Sequence, residues 1–230
     1  MLDELRNDVL AANLALPAYG LVTLTWGNAS GVDREAGLMA IKPSGVSYDA
    51  LTAADIVLVS LQTGEIVEGE RRPSTDTPTH LGLYRAFAEV GGIVHTHSTW
   101  ATAWAQAGRE IPLLGTTHAD LCADAVPITR ALTPEEVERD YEGSTGEVVI
   151  ETLGSRSAAE VPCVLVRGHA PFCWGRSPSA AVETAVTLEE VAKMALLTSV
   201  LEHDPPLLDT FVRDKHYLRK HGPQAYYGQR

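Results

Sequence analysis

Two histidines, His95 and His97, flank a single threonine in Ile93-Val94-His95-Thr96-His97. The apolar residues before them predict a strand, and on a strand positions i and i+2 share a face. Their Cα atoms would then lie about 6–7 Å apart, close enough for two imidazoles to chelate one ion. A third histidine, His169, follows the strand-like run PCVLVR (162–167). Three imidazoles leave one coordination position open, as a catalytic zinc requires. The plainer alternative makes His95 and His97 polar strand residues and His169 a loop residue. Two histidines pointing inward from an apolar strand need partners, which shifts the balance toward a metal. Asp76 stands in the turn before the helix that leads into this strand. Its carboxylate either supports the helix start or serves the metal as a fourth ligand or nearby base.

Three polar, mostly glycine-bearing segments could surround an anion: Trp26-Gly27-Asn28-Ala29-Ser30, Lys42-Pro43-Ser44-Gly45 and Ser74-Thr75-Asp76-Thr77. Each supplies hydroxyls or turn N–H groups, one supplies an ammonium, and a phosphate is held by such donors from separate loops. Singly each reads as an ordinary turn, and none matches a P-loop or a dinucleotide fingerprint. GTTHAD (115–120) reads as a loop that carries His118 and Asp120. The tail DKHYLRKHGPQAYYGQR carries His216, Arg219, His221, Tyr226 and Tyr227, and by composition reads as a solvated helix with a frayed end. Cys122, Cys163 and Cys173 lack close metal spacing and read as buried, reduced thiols of a cytoplasmic protein.

The elements that must position these groups follow from periodicity and punctuation. Helices are expected over 2–16, from Thr77-Pro78 to the Gly91-Gly92 stop, from Ser98 to Ala107, from Thr133-Pro134, from Ser177-Pro178 to about Glu202, and over 207–221. Strands are expected at 38–42, 55–60, 66–67, 93–97, 147–152 and 162–167. Helices and strands alternate, so the class is α/β, and pattern alone does not decide whether the sheet is parallel. The 230 residues show no repeat, no low-complexity tract and no linker, as expected for one domain over 1–230. A net charge of −12 argues against nucleic acid or an anionic membrane as the main partner. No apolar run approaches the ~20 residues of a membrane span, and the acidic start is unlike a signal peptide.

With these segments in place, the chain resembles the L-ribulose-5-phosphate 4-epimerase branch of the zinc-dependent class II aldolase/adducin-head superfamily. The resemblance runs through ANLALP (12–17), LVTLTWGNAS (21–30), IKPSGV (41–46), DTPTH (76–80), GGIVHTHS (91–98), WAQAG (104–108), GTTHAD (115–120) and the terminal Tyr-Tyr-Gly-Gln. It implies a three-layer α/β/α domain around a mainly antiparallel sheet. It implies that His95, His97 and His169 bind zinc, with manganese or cobalt also acceptable to three imidazoles, and that Asp76 is a further ligand or close neighbour. Gly27, Asn28, Lys42, Ser44, Gly45, Ser74 and Thr75 match the substrate and phosphate pocket. Asp120 and Tyr227 match the acid/base pair, and Thr116, Glu142, His216 and Arg219 match supporting positions. The family forms cyclic homotetramers with the site between subunits, so Asp120 and Tyr227 would come from the neighbour of the subunit that holds the metal.

The activity so implied interconverts L-ribulose 5-phosphate and D-xylulose 5-phosphate, as in arabinose-type pentose catabolism. Two other readings remain open. One is a class II sugar-phosphate aldolase that releases its aldehyde, although the aldolase branch carries Glu where this chain has Asp76. The other is a non-catalytic binding module like the adducin heads, against which stands the retention of all three histidines.

Overall fold

Sixteen short segments of regular structure build the molecule, which is a computed structural model describing residues 2–228. In chain order they are α1 (Leu2–Ala18), β1 (Asn28–Asp33), β2 (Leu38–Ile41), two 3₁₀ turns, β3 (Val57–Ser60), β4 (Ile66–Glu68), α2 (Thr77–Ala86), β5 (Gly92–His95), α3 (Thr99–Ala107), α4 (Thr116–Leu121), α5 (Pro134–Leu153), β6 (Cys163–Leu165), β7 (Pro171–Gly175), α6 (Pro178–Leu201) and α7 (Thr210–His221). The strands form one sheet in the order β4-β3-β2-β1-β5-β7-β6, every neighbouring pair antiparallel. The expected α/β class and antiparallel sheet are therefore present.

Alternation along each strand separates two cores. Ala29, Val94, Cys163 and Cys173 point to the face covered by α1, α3 and α6, where Leu16, Trp104 and Val182 pack. Ile93, Val164, Phe172 and Trp174 point to the opposite face, against α2 and α5 through Leu81, Tyr84, Val149 and Leu153. The layers are thus α/β/α. The three cysteines are free and buried in the first core, as expected. Among the described residues no helix is long and apolar enough to cross a membrane.

Several expectations need correction. EVVIET (147–152) is not a strand but the second half of α5. Its Val-Val-Ile run mimics strand composition, yet the Thr133–Glu136 capping box starts a helix whose Val148, Val149 and Leu153 are buried. GTTHAD is the short helix α4 rather than a loop. NASGVD and PFCWG form β1 and β7, which their glycine, proline and small residues concealed. In β1 the small residue is required: a Cβ on Gly31 would meet Pro178, Leu5 and Val9 at 2.8–3.0 Å. The strand β5 ends at His95, so His97 lies in the short connection to the helix that follows.

Candidate active site

Because β5 is central, its end places His95 between Asn28 of β1 and Phe172 of β7 in register. Two residues beyond His95, in the connection to α3, His97 brings its ring beside that of His95. The tight turn between β6 and β7, closed by His169 N–H donating to the Val166 carbonyl at 3.0 Å, brings in His169. One nitrogen of each ring lies within 4.8 Å of the others. Ring centroids are 5.0 Å apart for His95–His97 and His97–His169, and 4.9 Å for His95–His169. The predicted triad is therefore assembled in space.

The chemistry of this donor set fits a divalent cation. His95 Nδ1 lies 3.0 Å from the Pro171 carbonyl, which assigns the proton to Nδ1 and leaves the Nε2 lone pair free. His95 also stacks on Phe172, with centroids 4.2 Å apart. Burial, reinforced by His95 and His97, depresses His169 to about 4. Desolvation and His95 hold His97 below the ordinary histidine value as well. Neutral imidazole is the ligating form, so both rings are poised to bind metal rather than a proton.

Asp76 is the N-cap residue of α2, yet its side chain makes no capping bond. Instead, Asn28 Nδ2 donates to its carboxylate at 2.6 Å and the Ser74 hydroxyl at 3.4 Å. Burial alone would raise this carboxyl, but His95, His80 and Asn28 outweigh it and hold Asp76 ionised. The carboxylate does not cap α2 but faces the same cleft as the histidines, while the group of side chains whose ligand atoms all lie within 4.8 Å comprises His95, His97 and His169 without it.

The cleft has a volume of about 470 Å³ and is lined by Gly27, Asn28, Lys42, Ser44, Gly45, Ser74, Thr75, Asp76, His95, His97, His169 and Glu142, so every residue expected in the metal and phosphate sites is present. Two of its walls are stitched together: Ser44 N–H donates to Arg72 O at 3.0 Å and Ser74 N–H to Lys42 O at 2.9 Å. Lys42 is 1% exposed, and among the described residues its Nζ reaches only the Pro43 carbonyl, at 3.4 Å, besides lying 4.9 Å from the Tyr48 ring centroid. Burial lowers its pKa. An ammonium so poorly satisfied by protein is a donor held ready for an anion. Gly27 adopts φ +80°, and a Cβ there would lie 2.8 Å from the His95 carbonyl, so glycine lets the Trp26–Asn28 segment touch the one that carries His95 and His97.

Tyr141 is a cleft residue that sequence reasoning missed. Its hydroxyl lies 3.4 Å from His169 Nδ1. A break in α5, where Asp140 leaves helical geometry (φ −173°, ψ 94°), turns Tyr141 and Glu142 toward the histidines. The cap at Thr133-Pro134 announces the helix that carries both, but nothing in the sequence marks the break that aims them at the cleft.

Asp120, Thr116, His216, Arg219 and Tyr227 do not line this cleft; they belong to α4, α7 and the segment after it. Arg219 donates to both Asp120 oxygens, at 3.0 and 2.5 Å, and His216 Nδ1 lies 3.2 Å from one of them. Burial alone would raise the Asp120 carboxyl, but Arg219 and His216 prevail and hold it below the usual carboxylate range. The Tyr227 ring lies under Arg219 and Lys220 and is exposed. Gln229 of the terminal motif lies outside the described residues.

Fold and cleft together define an α/β protein whose antiparallel sheet presents three imidazoles to a polar cavity. Residues 7–196 match the family described as Class II Aldolase and Adducin N-terminal domain, and the chain belongs to that family, a superfamily of lyases and epimerases. Among solved structures, an L-fuculose 1-phosphate aldolase is 24% identical, with a TM-score of 0.79 over 94% of this chain and 95% of that one. The L-fuculose-1-phosphate aldolase from Thermus thermophilus is 26% identical, with a TM-score of 0.68 over 89% and 98%. A sugar-phosphate aldolase from Thermotoga maritima is 19% identical, with a TM-score of 0.68 over 88% and 97%.

Proposed function

We propose that the protein is an L-ribulose-5-phosphate 4-epimerase, acting by cleavage and re-formation of the C3–C4 bond. The observation that carries this reading is one cleft joining a three-histidine site to a buried, underused ammonium. The C4 proton is not adjacent to the C2 ketone, so its removal gives no stabilised carbanion. Losing the proton of the C4 hydroxyl while C3–C4 breaks does, because the bonding electrons pass to C3 and delocalise into the ketone. The fragments are the enediolate of dihydroxyacetone and glycolaldehyde phosphate. Turning the aldehyde and re-forming the bond returns the proton to oxygen and inverts C4.

A divalent cation held by His95, His97 and His169 supplies Lewis-acid stabilisation for the charge that develops on the C2 and C3 oxygens. Lys42, with Asn28, Ser44, Gly45, Ser74 and Thr75, binds the phosphate so that the aldehyde turns without escaping. Asp76, fixed by Asn28, orients the reacting hydroxyls. The aldehyde oxygen needs a proton acceptor on one face and a donor on the other. Asp120 and Tyr227, delivered by a neighbouring subunit of a homotetramer, fill those two roles, with Thr116, Glu142, His216 and Arg219 supporting them. Asp120, held ionised by Arg219, is suited to accept a proton.

The solved sugar-phosphate aldolases favour a second reading, in which the aldehyde is released. The shorter carboxylate at Asp76 favours the epimerase. A coupled assay on L-ribulose 5-phosphate, with metal analysis of the same sample, tests the proposal. Formation of D-xylulose 5-phosphate that stops on chelation and returns with zinc is expected. Stoichiometric free glycolaldehyde phosphate without the C4-inverted product refutes it in favour of the aldolase. Turnover that survives stringent metal removal refutes the role of the triad.

A further inference from the structure

The helix α3 touches both segments that carry the triad. It begins two residues after His97, and at its other end the Ala105 carbonyl accepts from Gly168 N–H, the residue before His169, at 2.9 Å. Helix and β6–β7 turn meet again where Gly108, the C-cap with φ +67°, faces the Arg167 guanidinium at 3.2 Å from its would-be Cβ. The position of α3 therefore fixes His97 relative to His169. Its N-terminus should be held by its N-cap, Ser98, yet that side chain makes no capping bond. The first-turn N–H groups are taken instead by a residue remote in sequence. Glu189 of α6 accepts from Trp100 N–H through Oε1 and from Ala101 N–H through Oε2, both at 2.9 Å. A carboxylate there complements the positive end of the helix and satisfies two otherwise orphaned donors. Trp104 Nε1 donates to the Ala192 carbonyl at 3.0 Å, one turn further along α6, so the two helices are locked at two levels.

We propose that Glu189 is a positioning residue for the metal site, acting through α3 to hold His97 and His169 at ligating separation. The proposal rests on the reading of the triad as a metal site. Glu189 touches neither metal nor substrate. Metal–ligand distances tolerate about 0.2 Å, so slack in the first turn of α3 reaches the ion as weaker and less regular binding. A carboxylate that merely stabilised the fold would leave a folded variant's metal affinity unchanged.

Cobalt(II) is the probe, because its visible bands report both occupancy and ligand geometry. The full chain, stripped of metal, is titrated with cobalt(II) as wild type, Glu189→Gln and Glu189→Ala, with folding checked by circular dichroism. Thr52→Ala is the control, since it breaks a capping box in the 3₁₀ turn Ala53–Asp55, away from α3 and the histidines. Glu189→Ala should bind cobalt at least about tenfold more weakly, with altered band positions. Glu189→Gln, which keeps one acceptor oxygen, should recover part of that loss, and Thr52→Ala should bind as wild type. A folded Glu189→Ala that binds within twofold of wild type overturns the proposal, as does an equal loss in Thr52→Ala. Should the alanine variant fail to fold, the glutamine variant decides: a loss of threefold or more supports the proposal, and a smaller one overturns it. A wild-type chain that binds no cobalt refutes the metal reading itself, and this inference with it.

Discussion

Replacing Lys42 by methionine should strengthen the fold and cripple the site. The side chain is 1% exposed, its ammonium meets one carbonyl at 3.4 Å, and burial depresses its pKa. Methionine fills a similar volume without a charge to desolvate, and removing so poorly paired a buried charge is worth about 1–2 kcal/mol to the apoprotein. For a chain of this length that is a rise of roughly 2–8 °C in melting temperature. The sign with pH is fixed: the native lysine costs most where it is charged. The gain from methionine is full below the lowered pKa and shrinks as pH rises through it. Binding moves the other way. A charge-assisted hydrogen bond to phosphate contributes about 1.5–3 kcal/mol, so kcat/KM should fall about ten- to hundredfold. Inorganic phosphate should raise the melting temperature of the wild type and leave Lys42→Met unmoved. Scanning fluorimetry with and without phosphate, alongside the coupled assay, reads all three quantities. A Lys42→Met variant that melts lower and turns over normally would show the ammonium to be a structural group, and the reasoning would be wrong.

Other consequences are open to direct measurement. His97→Asn should abolish metal binding and nearly all turnover, seen by metal analysis of folded protein, whereas Tyr227→Phe should keep its metal and slow only proton transfer; zinc loss in Tyr227→Phe would contradict that division. His118 is 3% exposed, its Nε2 lies 3.0 Å from the Asp124 carbonyl, and burial depresses it to about 4. The unfolded chain binds that proton near pH 6.5, so the neutral ring's contribution is full above pH 6.5 and about 3 kcal/mol is lost by pH 4. Urea titrations across that window should show the loss in wild type and a flatter profile in His118→Leu.

What could be read from sequence depended on where the signal lay. Proline and hydroxyl caps mark helix starts by local chemistry, so α6, expected from Ser177-Pro178 to about Glu202, is observed over Pro178–Leu201. The histidine pair announced itself by spacing, and its third member by the strand before it. Strand composition misled at Val148-Val149-Ile150, where tertiary burial against α2 overrides β propensity. Tyr141 was missed for a different reason: it reaches the cleft through a backbone break at Asp140 that no composition reveals. The strand β1 was obscured because close packing beneath α6 selects small residues over strand formers. Asp120 was nameable only through family resemblance, since its partner Arg219 lies 99 positions away along the chain; Tyr227 was too, because its contacts with Arg219 and Lys220 stay within the tail and point to no site.

The two thiols sunk between the sheet and α6, Cys163 and Cys173, with Cys122 at the end of α4 in the same core, give the folded chain a built-in stopwatch. Each is at most 2% exposed, and burial lifts Cys122 to about 12 and the other two higher still, so an alkylating reagent finds no thiolate to attack. Labelling by iodoacetamide must therefore wait for the helical layer to lift. Under fast reagent, its rate times that lifting at Cys163 and Cys173 without any added dye or engineered probe.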